Sequence, residues 1–509
     1  MKRIIAAAYF LTALLFALTL SAQDFGFGGA DDTDDSGFGS FDSASSGGFS
    51  SPGVKISGDI QAEFKAFFED MDNKEELKEI QLGNIFSGSL NFSVSGSAAE
   101  AIINLKLKPV FESIASPVSI DEAYGRFYFG PVNLEAGIRK LTWGKADSFG
   151  PLDVVNPLDY SDLSSMSDPQ SIKIGRPLLH ASWNIGTFSK LEAVFVPWFK
   201  GHTFALEGRW APAELTSLVP ILVMGVKGGL AQHPVLGTDP VNFLPPFYIA
   251  LDSWQTDLNF EKYYSDYNYT LRSAQAGLRF TTTLGSSDFG FQYYYGRLPR
   301  PAFSVNLDKY IAGIAILPPT LPATEPEYIS NPNDIEILMA YNFYHQIGVD
   351  FARVVAGFNL RAETAINLTS DTDGTDGGVY NPFFAWSLGF DRDLVWGINL
   401  NLQGTGSMRL FQSKLGDNLL EDMEAGKDIS STRITAIVSK KFFREELEVK
   451  ATGLWGIEDK DFLIIPAIVW SRNDITAELA AGFFGGDRAG ELGQYKDNSY
   501  IKVALGYSF

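Results

Sequence analysis

Three aspartates, Asp371, Asp373 and Asp376, interleave with Gly374 and Gly377 at a spacing that offers oxygen ligands to a hard cation such as calcium. The closing glutamate of a twelve-residue calcium loop is missing, so a surface loop explains the run better. The acidic run Asp31, Asp32, Asp34 and Asp35 carries less weight still. The four histidines, His180, His202, His233 and His345, have no paired ligand spacing. There is no G-x-S-x-G elbow and no phosphate-binding glycine loop, so an enzyme is not expected. The chain has 0 cysteines, which excludes disulfides, iron–sulfur clusters and cysteine-bound zinc. Calcium at the three aspartates is the sole cofactor the sequence offers.

Charge recurs instead at every second position of short segments. Lys55, Asp59, Glu63 and Lys65 share one face of such a segment. Asn104, Lys106 and Lys108 share another, as do Arg361 and Glu363, and Glu446, Glu448 and Lys450. Arg279 and Glu478 fall in the same pattern. Mixed charges on an enclosed face either set a field across a water-filled lumen or pair with one another and fill it.

The elements that carry them are strands. From Val54 to Phe68 every even position is apolar or glycine, while the odd positions are mostly polar. Phe86–Gly96 repeats the device, and a dozen further segments follow it. Their connections alternate. Gly130-Pro131, Gly186-Thr187 and Arg472-Asn473-Asp474 are short, whereas 144–177, 232–271 and 299–336 are long. Transmembrane barrels alternate in this way between periplasmic turns and outer loops. The expected fold is therefore an all-β, antiparallel, up-and-down transmembrane barrel of about 20 strands, within a range of 16–20. The weakly patterned stretches are 199–231 and 337–350. Helix is expected to be minor, with one or two turns over Asp70–Glu79.

Both ends of the chain fit that fold. The last residues place Ile501, Val503, Leu505, Tyr507 and Phe509 on one face, ending on an aromatic. A terminal strand of this kind resembles the signal read by the barrel-assembly machinery of bacterial outer membranes. Lys2, Arg3 and the apolar run Ile4–Leu20 read as a signal peptide over 1–22, cut after Ala22. Residues 23–52, rich in Gly, Ser, Asp and single Phe residues, read as a disordered periplasmic tail. The barrel is assigned to 53–509, with both termini periplasmic. A stretch such as Val219–Val226 is too short to cross a bilayer as a helix. The net charge of −21 argues against nucleic acid as a partner.

One segment is more than a strand. It runs Arg139-Lys-Leu-Thr-Trp143-Gly144-Lys145-Ala-Asp147, then Asp153-Val-Val-Asn156-Pro157-Leu-Asp159. Trp143 ends an upward strand at the height of an aromatic girdle. The short polar side chains fix loop geometry. A loop so polar either folds back into the lumen, as a constriction or plug, or caps the barrel from outside. Arg139, Lys145, Asp147, Asp153, Asn156 and Asp159 are the candidate lumen or constriction residues. The segment resembles the signature of a family of large Gram-negative outer-membrane barrels of largely unassigned function. It departs from that family's pattern at Lys140, where glutamine is usual. The resemblance implies hydrophobic or lipid-like cargo.

The expectation from the charged faces is a barrel in outer-membrane lipid that passes small solutes passively. Its alternatives are a carrier of hydrophobic compounds, with apolar loop segments such as Phe243–Tyr248 as the pocket, and a surface adhesin or structural barrel.

Overall fold

The computed structural model describes residues 54–69, 86–107, 118–166, 170–232, 236, 240–257, 264–315, 331–414, 416 and 422–509. The expected signal peptide, the 23–52 tail, the Asp70–Glu79 turns, Lys108 and His233 lie outside the described residues.

Eighteen strands form one sheet. In chain order they are β1 Lys55–Phe67, β2 Phe86–Ser95, β3 Ala99–Leu107, β4 Val118–Phe129, β5 Val132–Arg139 and β6 Arg176–Ile185. Next come β7 Ser189–Val196, β8 Gln275–Leu284, β9 Ser287–Arg297, β10 Phe343–Val355, β11 Phe358–Thr369 and β12 Phe383–Asp393. The last six are β13 Ile398–Arg409, β14 Ser430–Phe442, β15 Leu447–Gly456, β16 Asp461–Arg472, β17 Ile475–Gly486 and β18 Tyr500–Ser508. Each strand pairs antiparallel with the next, and β18 pairs with β1 from Asp59↔Ser508 to Phe67↔Tyr500. Gly58 and Phe509 exchange both backbone hydrogen bonds at 2.9 Å, so the seam closes at the chain's last residue. Closure leaves the barrel sheet without an edge.

Alternation separates the two faces. Leu278, Phe291, Ile347, Leu388, Ile468 and Val503 are exposed on the outer wall. Their neighbours Arg279, Gln292, Gln346 and Asp350, with Glu363 on β11, are buried on the inner wall. This is an inside-out protein, apolar outside and polar inside, as a bilayer demands. Connections are short at one end and mostly long at the other. Ala356 and Gly357 link β10 to β11 with φ of 52° and 82°, the left-handed pair that a two-residue hairpin turn requires.

The expected count of about 20 strands becomes 18. The weakly patterned stretch 199–231 contributes no barrel strand. Helix α1 runs over Leu218–Gln232 and α2 over Pro240–Asp257, both between β7 and β8. Helix α3, Asp308–Ala315, lies between β9 and β10. They build a cap with its own apolar core. Leu222, Val223, Val226 and Leu230 of α1 meet Leu244, Phe247, Leu251 and Trp254 of α2, with Tyr310, Ile335 and Ile337. The α2 residues recur at spacings of three and four, a helical stripe. Pro245 and Pro246 sit inside α2 and disguise it as a loop. Among the described residues, no helix is long and apolar enough to cross a membrane. The 337–350 ambiguity also resolves. Glu336–Ala340 pairs antiparallel with Ala302–Asn306 in a separate two-stranded sheet, and β10 starts afresh at Phe343.

Candidate functional site

The connection between β5 and β6, residues 140–175, folds into the barrel. Its descending arm, 144–153, is seated on the inner wall of β9, β10, β11 and β13. Glu363 of β11 accepts N–H bonds from Lys145, from Ala146 at 2.7 Å and from Leu152 at 3.4 Å. Gln403 of β13 accepts from Asp147 N at 2.9 Å and Ser148 N at 3.1 Å, and donates to Phe149 O at 3.2 Å. Gln292 donates to Leu152 O at 2.9 Å and Gln346 to Pro151 O at 3.0 Å. Five of these eight bonds engage loop N–H groups and three engage loop carbonyls, so seven loop residues are held through their backbone.

The wall is dented to receive the arm. Trp143 lies over Gly277, where an added Cβ would come within 2.7 Å of the ring. Leu152 lies over Gly348 in the same manner. Behind the arm, a belt of side chains crosses four strands: Arg279 to Gln292 at 2.7 Å, Gln292 to Gln346 at 2.8 Å and Gln346 to Asn367 at 2.9 Å.

Asn156 closes the neck of the loop. Its Oδ1 accepts from Leu141 N at 2.7 Å, and its Nδ2 donates to Arg139 O at 3.0 Å and Ile174 O at 2.8 Å. One buried amide therefore ties the outgoing and returning chains. Asp153 accepts from Lys173 at 2.6 Å, and Lys173 also donates to Thr142. Asp159 caps a local turn by accepting from Ser161 N at 3.0 Å. Farther on, Lys65 of β1 donates to Asp162 at 3.2 Å and to Ser164 at 2.6 Å, so the loop reaches the wall on both sides of the lumen.

Charges at the tip face water. Asp147 pairs with Arg361 and accepts from Asn401 at 2.9 Å, while Arg361 also meets Asp391 at 2.7 Å. Lys145 lies 3.7 Å from Asp288. These side chains keep 20–45% of their surface exposed, so water reaches the tip. Arg361, Asp391, Asn401 and Asp288 all lie near the short-turn ends of their strands, so the arm descends most of the barrel's height. On the β3–β7 wall, a ladder of polar contacts runs Glu100–Arg126–Glu135–His180–Glu192–Lys190 at 2.7–3.2 Å. Arg139 joins it through Glu135 and lies 5.1 Å over the Tyr124 ring.

The start of the β7–β8 connection grips the loop from above. His202 Nδ1 accepts from Leu158 N at 2.9 Å, and its ring packs 5.2 Å from Tyr160. A cavity of about 190 Å³ remains beneath, lined by Phe149, Asp153, Tyr160, Lys173, His202 and Tyr344 among others. Burial, and then the charge of Arg300, push the His202 pKa down to about 3. The unfolded imidazole titrates near 6.5. The clasp is therefore at full strength above pH 6.5. It weakens as pH falls from there toward 3, by about 1.4 kcal/mol per unit. Hydrogen-exchange protection over 155–175, taken relative to the intrinsic amide rate at each pH, should fall between pH 7 and pH 4.5, and His202→Gln should flatten that response. Equal protection across the range would remove His202 from the clasp.

One sequence expectation is corrected. Trp143 is not in an outer aromatic girdle; it is 2% exposed, inside the barrel, edge-on to Tyr294 at 6.4 Å. The strand ends at Arg139, four residues before Trp143, and the ring fills the dent over Gly277. Asp371, Asp373 and Asp376 do not converge. Asp371 accepts from Asp376 N at 2.9 Å and Asp376 from Gly378 N at 3.0 Å, so two of the carboxylates cap turns. Among the described residues, no group of three or more acidic, His or Cys side chains is arranged to hold a metal. Arg139, Lys145 and Asp147 face the lumen, whereas Asp153, Asn156 and Asp159 shape the loop. Tyr507 and Phe509 are exposed on the outer wall, stacked 6.5 Å apart. Sequence reading placed Glu363 and Arg361 on the inner face but missed Gln292, Gln346 and Gln403, whose uncharged amides gave no signal beyond their alternation.

No family model matches the chain, and no curated protein matches it. Among solved structures it is similar to OccAB4 of Acinetobacter baumannii, at 8% identity and a TM-score of 0.44, over 90% of this chain and 98% of that one. It is similar to the outer-membrane channel DcaP of the same organism, at 8% identity and a TM-score of 0.40, over 90% and 98% of the two chains. It is also similar to Wzi of Escherichia coli, a carbohydrate-binding barrel, at 10% identity and a TM-score of 0.41, over 89% and 84%. At these values the likenesses say nothing of what this barrel carries.

Proposed function

We propose that the protein is an outer-membrane channel through which small polar solutes pass passively, narrowed by the 140–175 loop. The observation that carries this reading is the pairing of an apolar outer wall with a charged inner wall, whose tip residues Lys145, Asp147, Asp288 and Arg361 stay in contact with water. A lumen lined in this way favours polar over hydrophobic cargo. Of the greasy loop residues that a hydrophobic carrier would use, Leu244 and Phe247 belong to the cap core. The short turns then face the periplasm and the cap faces outward.

Planar-bilayer recording of refolded residues 23–509 tests this. Reproducible conductance steps are expected, with a reversal potential in a salt gradient that moves when Lys145 is replaced by glutamate. A folded, heat-resistant barrel with no conductance would sink the channel and shift the weight to a plugged or surface-binding barrel.

A further inference from the structure

The outer wall carries one asymmetry that the channel reading does not use. Arg353, Arg392, Lys440 and Arg472 all point outward, in register with the exposed residues Val349, Leu388, Val438 and Ile468 of their own strands. They occupy β10, β12, β14 and β16, and each lies within three residues of the short-turn end of its strand. Every strand running toward that end between β10 and β16 thus carries one outward cation. The corresponding strands on the other side, β4, β6 and β8, offer Phe129, Ile185 and Leu284 instead.

These cations have little counter-charge of their own. Among the described residues, Arg353, Arg392 and Lys440 have no carboxylate within ion-pair distance, and Arg472 reaches Glu446 only at 4.0 Å. Two of them lie on aromatic rings: Arg392 is 4.2 Å over Phe358, and Lys440 is 4.9 Å over Phe442. Beside them, Trp396 is 81% exposed and Phe443 is 75% exposed at turn tips, where their φ values are 63° and 50°. Both rings project away from the protein, where only a surrounding medium can receive them. Aromatic rings at a bilayer boundary sit at headgroup level, and cations beside them attract anionic lipid.

We infer that the arc from β10 to β16 is a binding surface for the phosphate headgroups of anionic phospholipids in the leaflet at the short-turn end. The occupant follows from charge complementarity and from continuity with the lipid-facing wall directly above. The guanidinium groups would take phosphate oxygens in pairs, while Trp396 and Phe443 bury among the glycerol backbones. The inference rests on the barrel being embedded in a membrane.

The test is native mass spectrometry of refolded residues 23–509, exchanged from vesicles of equal phosphatidylglycerol and phosphatidylcholine. The wild type should retain phosphatidylglycerol at least threefold over phosphatidylcholine. The quadruple variant R353Q/R392Q/K440Q/R472Q should lose that preference and still migrate as a heat-resistant barrel. Millimolar glycerol phosphate should leave the wild-type preference intact, because a lipid is held through its chains as well. Insertion with equal retention of the two lipids, or a preference unchanged in the quadruple variant or abolished by glycerol phosphate, would overturn this inference alone. Failure to insert into vesicles at all would overturn the membrane reading and this inference together.

Discussion

Glu363→Ala should raise single-channel conductance several-fold and leave the barrel folded. The substitution strips the acceptor from three loop N–H groups, those of Lys145, Ala146 and Leu152. Each buried donor left without a partner costs about 1–3 kcal/mol. Even the low end of that sum, about 3 kcal/mol, changes the ratio of seated to released loop by roughly a hundredfold. The barrel wall itself loses no ladder bond, because Glu363 contributes only its side chain. Glu363→Gln retains one acceptor oxygen and should fall between the two. Trypsin cleavage after Lys145 provides the second readout and should be faster in the alanine variant. Unchanged conductance together with unchanged cleavage would show that the loop does not depend on this carboxylate.

Arg279→Met should be the most damaging single change to the wall. The Arg279 and Asp350 side chains are 4% and 0% exposed and lie 2.6 Å apart. The contact is close but poorly aligned for a hydrogen bond, so it is mainly electrostatic. Removing the cation strands a buried carboxylate, which costs about 3–5 kcal/mol, whereas removing both charges is often nearly neutral. The denaturant midpoint in micelles should therefore drop sharply for Arg279→Met and recover in Arg279→Met/Asp350→Asn. A double variant as unstable as the single one would mean that Arg279 acts through packing, not through its charge.

The barrel was legible because its signal is local. Period-two alternation is written into each strand, and Ile501 to Phe509 or Val54 to Phe68 can be assigned to faces without knowing their neighbours. The charges at Arg361, Glu363 and Glu478 were placed inward by the same rule. The cap was not legible. In α1 the run Val219-Pro-Ile-Leu-Val has poor helix propensity, and α2 holds two prolines, so both helices depend on packing against each other. The seat of the loop was half legible. Its short polar residues announced an ordered loop, but its destination depends on Gly277 and Gly348, which read in sequence only as weak strand positions. Trp143 illustrates the cost of that gap. An aromatic at a strand end reads as a boundary residue until the dent that receives it is known.

Because Glu363 and Gln403 hold the arm by its main chain, they are largely blind to what residues 145, 146 and 148 are. Gly144 and Gly150 are the fixed points, since a Cβ at either would collide with Glu363. Between them lies a short cassette that single mutations can rewrite without rebuilding the socket. A lineage facing a new nutrient, or an engineer seeking a new filter, would find that retuning the cargo and preserving the architecture are separable problems in this chain.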